Sequence, residues 1–315
     1  MLEILFLVIP FFAVIGGGYL GARLIGREGQ EGINTFVVYF ALPVLLFSVM
    51  AKSNIAERFQ SDFVTAYAAV SISLFVITLV ILKGLFGMPR RELAVQALAS
   101  VYGNTGYMGI PIIVVMLGQA ASVPVVIALL TDIILMIPIA AAIVESDRKP
   151  EDTDKGGLVH GAINTIAGTL KNPLVVAAGL GICWSLLAIP VPEVLNGFLD
   201  LLGAAAAPCA LFALGSSLYG KPLGHNIAPG LLLSVFKLVA HPILLFVAMS
   251  LIWQVDPAWI KPAVIAAGLP VAVTVFVVAR QYNAAVTQTS STILISTAIS
   301  LASVPLLIAI LEVFL

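Results

Sequence analysis

The sequence predicts an all-α polytopic membrane protein with ten transmembrane helices, built as two inverted five-helix repeats with broken crossing helices 4 and 9. Three observations predict it: an apolar composition, ten apolar runs separated by polar breaks, and echoes between the two halves. Apolar residues fill 61% of the 315 positions and charged residues only 10%. Soluble chains carry about 25% charged residues, so a soluble fold of this length lacks the groups to cover its surface. Soluble globular, disordered and disulfide-framework classes are excluded on that ground. A mean hydropathy of +1.12 agrees, and the short alternating segments of a porin-like barrel are absent. Membrane lipid is the expected surrounding. With a net charge of −1 and no basic block, nucleic acid is not an expected partner.

About 20 apolar residues are needed to cross the hydrocarbon core. The first run, 3–22, holds Glu3 as its only charge. It lacks the basic start and small-residue cleavage site of a signal peptide, so it reads as a retained helix. The second and third runs are 33–51 and 62–86. The fourth, 92–117, is rich in Gly and Pro, and the fifth is 121–144. The remaining runs are 161–187, 194–219, 227–252, 258–280 and 284–312, the ninth again interrupted by Gly and Pro. Backbone polar groups in lipid must be satisfied within the segment, which makes each run a helix. Cys183 and Cys209 lie in such runs and read as packing residues.

The longest polar stretch, Glu145–Lys155, divides the chain into a first repeat at 1–144, a linker at 145–160 and a second repeat at 161–315. Loops after odd-numbered runs, with their flanks, hold ten Lys or Arg residues against three after even-numbered runs; Lys171 and Lys237 fall within runs. Basic residues favour the cytoplasmic side. Both termini are therefore expected outside and the linker inside.

An odd number of spans per half inverts the second half relative to the first. Ala41–Phe47 (ALPVLLF) is echoed by Ala206–Phe212 (AAPCALF), and Gly109-Ile-Pro111 by Gly268-Leu-Pro270. Thr131–Ile143 is echoed by Thr297–Ile310. The three offsets are similar and in order.

Span four contains Tyr102-Gly-Asn-Thr-Gly-Tyr-Met-Gly-Ile-Pro111. Pro111 removes a donor and crowds the preceding turn, and the glycines permit close backbone approach. Tight helix packing is one reading. The other is a discontinuous helix whose centre binds a ligand through Asn104, Thr105 and Tyr107, with Gly109 and Pro111 from span four and Gly268 and Pro270 from span nine lining the same place. Lys237 lies near the middle of span eight, where an ionisable group is costly and points to function. Asp132 is the carboxylate deepest within a span, and it reads as a hydrogen-bonding or coupling residue. His241 lies one turn after Lys237. No phosphate loop, zinc motif or nucleophile elbow occurs, and the histidines at 160, 225 and 241 lack ligand spacing. No enzyme activity, cofactor or metal is expected.

Four stretches resemble the auxin efflux carrier family, which includes plant carriers and bacterial permeases for malonate, malate and similar acids. They are Asn34–Phe47, Gly103–Pro111, Phe236–Pro242, and Tyr282-Asn283 with Ser296–Ser300 and Pro305-Leu306. The resemblance implies secondary transport of small organic anions, carboxylates in particular, by alternating access in a bacterial inner membrane. It implies a scaffold of helices 1, 2, 6 and 7, used for dimerisation, and a moving domain of helices 3–5 and 8–10. Asn104 matches the family's substrate-contacting asparagine, and Lys237 matches a lysine of span eight. Plant members of the family place a carboxylate of span three near that lysine, whereas here span three has only Asp62 at its edge. Sodium-independent transport is favoured because no acidic cluster adjoins the crossing. A sodium-coupled organic-anion symporter of bile-acid-transporter type and an uncoupled channel are the alternatives.

Overall fold

The computed structural model describes residues 2–146, 168, 170–221 and 227–314. The linker beyond Ser146, the first residues of the sixth run, His160 and His225 lie outside them. The fold is all-α and polytopic. Among the described residues, six helical segments are long and apolar enough to cross a bilayer: Val8–Ala51, Ser61–Phe86, Gln119–Glu145, Glu193–Leu218, Ala228–Ile252 and Val286–Phe314. Thr105–Leu117 and Pro173–Leu186 are shorter apolar helices. Leu24, Val80, Leu201 and Leu251 are strongly exposed, as suits a surface bathed in lipid rather than water.

The polar stretch between the first two runs is more helical than expected. Helix Leu2–Phe36 continues through it and is interrupted at Gly26, where φ is 65° and ψ −175°. That left-handed φ suits glycine. A straight helix over the 44 residues of Val8–Ala51 would measure about 66 Å, twice the hydrocarbon thickness. The sixth run also differs from expectation. Its helix Pro173–Leu186 starts at an Asn172 cap, whose side chain accepts from the Leu174 N–H at 2.9 Å. Lys171 is exposed just ahead of that cap, not inside the span. Asn at the cap followed by Pro at the first helical position starts a helix there for local reasons.

Four of the prolines within helical segments share a signature. The π-helical turns Val37–Ala41, Thr105–Gly109, Asp132–Met136 and Phe236–Ala240 each end two residues before a proline: Pro43, Pro111, Pro138 and Pro242. Proline has no N–H and its ring crowds the carbonyl four residues back. Widening the turn relieves that clash. The residue before each proline then donates five residues back, as Ile137 does to Asp132 and His241 to Phe236. Such turns concentrate at functional sites, and both Asp132 and Lys237 lie in them.

Small residues set the closest helix contacts, as is common between membrane helices. Helix Leu2–Phe36 packs against Ala206–Leu218, where a Cβ on Gly215 would overlap the Ile15 carbonyl. Helix Leu42–Ala51 packs against Pro173–Leu186 and Glu193–Ala204, and a Cβ on Gly181 would stand 2.7 Å from the Phe47 carbonyl oxygen. Elsewhere Arg90–Val101 lies against Ser61–Phe86, Ile137–Glu145 and Val286–Phe314. Buried polar pairs mark this second group: Gln96 Nε2 donates to Thr289 Oγ1 at 2.8 Å and Thr78 Oγ1 to Ser100 Oγ at 2.9 Å.

Candidate functional site

Helix Arg90–Val101 stops at Tyr102, and the chain resumes helical form at Thr105. Helix Pro257–Ala267 stops in the same way, and Val273–Gln281 follows. The two interruptions meet. Gly103 and Val271 form an antiparallel bridge. The Asn104 N–H donates to the Pro270 carbonyl at 2.8 Å, and the Ala272 N–H donates to the Tyr102 carbonyl at 3.1 Å. Each strand-like piece thus satisfies the other's backbone where neither has helical partners, as apolar surroundings demand. The Val271 N–H is taken by Ser296 Oγ at 3.1 Å, tying helix Val286–Phe314 to the junction.

Two helix C-termini and two N-termini converge here. Exposed carbonyls make the former partly negative, and unpaired N–H groups make the latter partly positive. Lys237 answers one negative end: its fully buried ammonium donates to the Ala267 carbonyl. His241 Nδ1 lies 3.2 Å from the same nitrogen. Gly103 is what lets the lysine in. A Cβ there would stand 2.9 Å from both Cε and Nζ of Lys237 and 3.1 Å from the Ala266 carbonyl oxygen.

Asn104 sits at the start of the resumed helix, 1% exposed. Its carbonyl accepts from the N–H groups of Met108 and Gly109 at 3.0 and 3.1 Å. Its side-chain Nδ2 is buried with no hydrogen-bond partner. Thr105 is equally buried, its hydroxyl 3.4 Å from the Gly103 carbonyl. Gly109 and Gly268 are close-contact positions: a Cβ on the first would stand 2.7 Å from Leu269, and one on the second would overlap Leu307. Pro111 begins helix Ile110–Leu117, and Pro270 contributes the carbonyl that Asn104 uses. Tyr107 turns away from the junction, and its hydroxyl donates to Asn34 Oδ1 at 2.5 Å.

Asp132 belongs to a neighbouring part of the same interior. It is fully buried; Oδ2 accepts from the Tyr67 hydroxyl at 3.1 Å, and Oδ1 has no hydrogen-bond partner. It forms no ion pair with Lys237: among the described residues the ion pairs within 4.0 Å are Lys52–Asp200 and Lys261–Glu312. Tyr67 connects the two. Its ring centroid lies 6.0 Å from that of His241, whose Nε2 is 3.5 Å from Ser71 Oγ. A chain Asp132–Tyr67–His241–Lys237 therefore runs from segment Gln119–Glu145 through Ser61–Phe86 to Ala228–Ile252. Sequence reasoning missed Tyr67, although a phenol amid apolar residues needs a partner when buried. It could not have found Ala267, which acts through its backbone.

The chain is similar to known membrane transport proteins. The family described as membrane transport protein matches residues 3–308. A Rhizobium meliloti (strain 1021) protein provisionally named a malonate transporter is 36% identical over 313 residues, covering 96% of this chain and 94% of that one. Auxin efflux carrier component 8 of Arabidopsis thaliana is 24% identical over 87% of this chain and 88% of its own. An uncharacterized transporter of Escherichia coli (strain K12) is 22% identical over 88% of this chain and 87% of its own.

Proposed function

Because the chain belongs to the membrane transport protein family, we propose that it carries small organic anions through the membrane as a secondary transporter. The reading is taken further to a dicarboxylate of the malonate type, on the similarity to the Rhizobium protein. The observation that carries the site assignment is the Asn104 amide. A buried donor without a partner is costly, and here it stands at a helix N-terminus, where an anion is favoured. One carboxylate accepts from Asn104 and Thr105. Lys237 has three donors, of which Ala267 takes one and His241 Nδ1 faces another. The third serves the second carboxylate.

Ten spans in two inverted halves, crossing at Gly103 and Val271, give this site its two related conformations. The preference of helix Leu2–Phe36 for Ala206–Leu218, and of Leu42–Ala51 for Pro173–Leu186, supports a scaffold of spans one, two, six and seven. Spans three to five and eight to ten then move against it, with Tyr107–Asn34 as a contact that breaks and re-forms. The scaffold is also the proposed homodimer surface. Lys171 outside span six adds an eleventh basic residue to the odd-loop side, in favour of outward termini in a bacterial inner membrane. Transport is proposed to be sodium-independent. Saturable malonate uptake in sealed vesicles, unchanged when the sodium gradient is removed, tests the reading; non-saturating flux would make it a channel.

A further inference from the structure

A second binding place lies at the far end of spans three to five. A cleft of about 600 Å³ opens between them, lined among the described residues by Leu79, Val80, Lys83, Gly84, Arg90, Leu93, Ile143 and Ser146. The tight turn after helix Ser61–Phe86, with Gly87 at φ 60°, brings two cations to one lip. Lys83 comes from the last turn of that helix and Arg90 from the first residue of Arg90–Val101. Lys83 Nζ reaches the Met88 carbonyl at 3.4 Å, which holds the lysine at the turn. No carboxylate is among the described lining residues. The nearby Glu145 carboxylate accepts from the Tyr282 hydroxyl at 3.3 Å.

The rest of the wall is apolar and leads outward to lipid at Val80, which is 67% exposed. A Cβ on Gly84 would meet nothing within 4 Å, so this wall is open. Two cations at a span end, above an apolar trough that faces the acyl chains, suit a ligand with an anionic head and a hydrocarbon body. A free dicarboxylate would gain nothing from the trough. We propose that this cleft binds an anionic phospholipid, with its phosphate on Lys83 and Arg90 and an acyl chain along Leu79, Val80 and Ile143.

The test is native mass spectrometry of the purified full chain, titrated with phosphatidylglycerol or with phosphatidylcholine. Wild type is expected to prefer phosphatidylglycerol. The double variant Lys83→Gln/Arg90→Gln should lose affinity for it by about 30-fold, at roughly fivefold per surface cation. Gly84→Trp fills the cleft from an open position and should also lower phosphatidylglycerol binding. Arg23→Gln/Arg27→Gln, elsewhere on the chain, should leave it unchanged. Equal binding of the two lipids, or unchanged phosphatidylglycerol binding in both the double variant and Gly84→Trp, would overturn the proposal. Displacement of the lipid by glycerol 3-phosphate would assign the cleft to soluble phosphates, and displacement by malonate would make it a vestibule; either outcome contradicts a lipid site.

Discussion

The Lys237 ammonium and the Ala267 carbonyl are joined by a hydrogen bond across 30 residues of sequence. A side chain from segment Ala228–Ile252 thereby holds the negative end of helix Pro257–Ala267 beside the Gly103–Val271 bridge. Buried without solvent, this contact ties the position of the junction to one side chain.

Replacing Lys237 by Met keeps much of the volume but leaves the Ala267 carbonyl without this donor. A lost hydrogen bond to a charged group costs about 1.5–3 kcal/mol. The variant should insert, unfold at a lower temperature and transport poorly. Vesicle uptake beside a thermal melt reads both, and wild-type behaviour in both would deny Lys237 a part in holding the junction.

Gly103→Ala places a methyl 2.9 Å from Lys237 Nζ and 3.1 Å from the Ala266 carbonyl oxygen. Overpacking of this kind costs about 1–3 kcal/mol. Transport should fall in this variant. Gly84→Ala, where a Cβ meets nothing within 4 Å, should behave as wild type in the same uptake assay.

The all-α membrane fold was legible in composition and run length alone. The helix interruptions near Gly103 and Gly268 fall at Gly and Pro, which act locally on the backbone. The π-turns before Pro43, Pro111, Pro138 and Pro242 were not read, although the prolines that cause them were in view. Which side chains meet was largely hidden. Tyr67 and Asp132 are 65 residues apart, and hydrophobic patterning does not say which two helices face each other. Tyr67, in helix Ser61–Phe86, hydrogen-bonds the Asp132 carboxylate. Lys171 was misplaced because an apolar run hides the Asn172 cap that starts the helix.

Asp132→Asn keeps an acceptor for the Tyr67 hydroxyl, whereas Asp132→Leu leaves that hydroxyl buried and unpaired. The Leu variant should lose about 1–3 kcal/mol of stability and most transport, the Asn variant much less. A double cycle with Tyr67→Phe separates the pair from the charge. Equal loss of transport in Asn and Leu variants would make the carboxylate itself essential.

Lys221, beyond the end of helix Ala206–Leu218, stands over the Phe276 ring with its nitrogen 4.1 Å from the centroid. Burial, and then the Arg280 charge, lower its pKa from an ordinary 10.5 to about 8. The unfolded chain therefore binds more protons between those values, and stability rises with pH across that window. The apparent melting temperature should rise less from pH 8 to 10 in Lys221→Met than in wild type. Identical slopes would remove Lys221 from the pH response.

The junction as substrate site is tested most directly by calorimetric titration of malonate into purified wild type and Asn104→Ala. Loss of one hydrogen bond to a charged group is worth about 1.5–3 kcal/mol, so affinity should fall roughly 10–150-fold while the melting profile is kept. A folded Asn104→Ala protein that binds malonate as tightly as wild type would contradict the assignment.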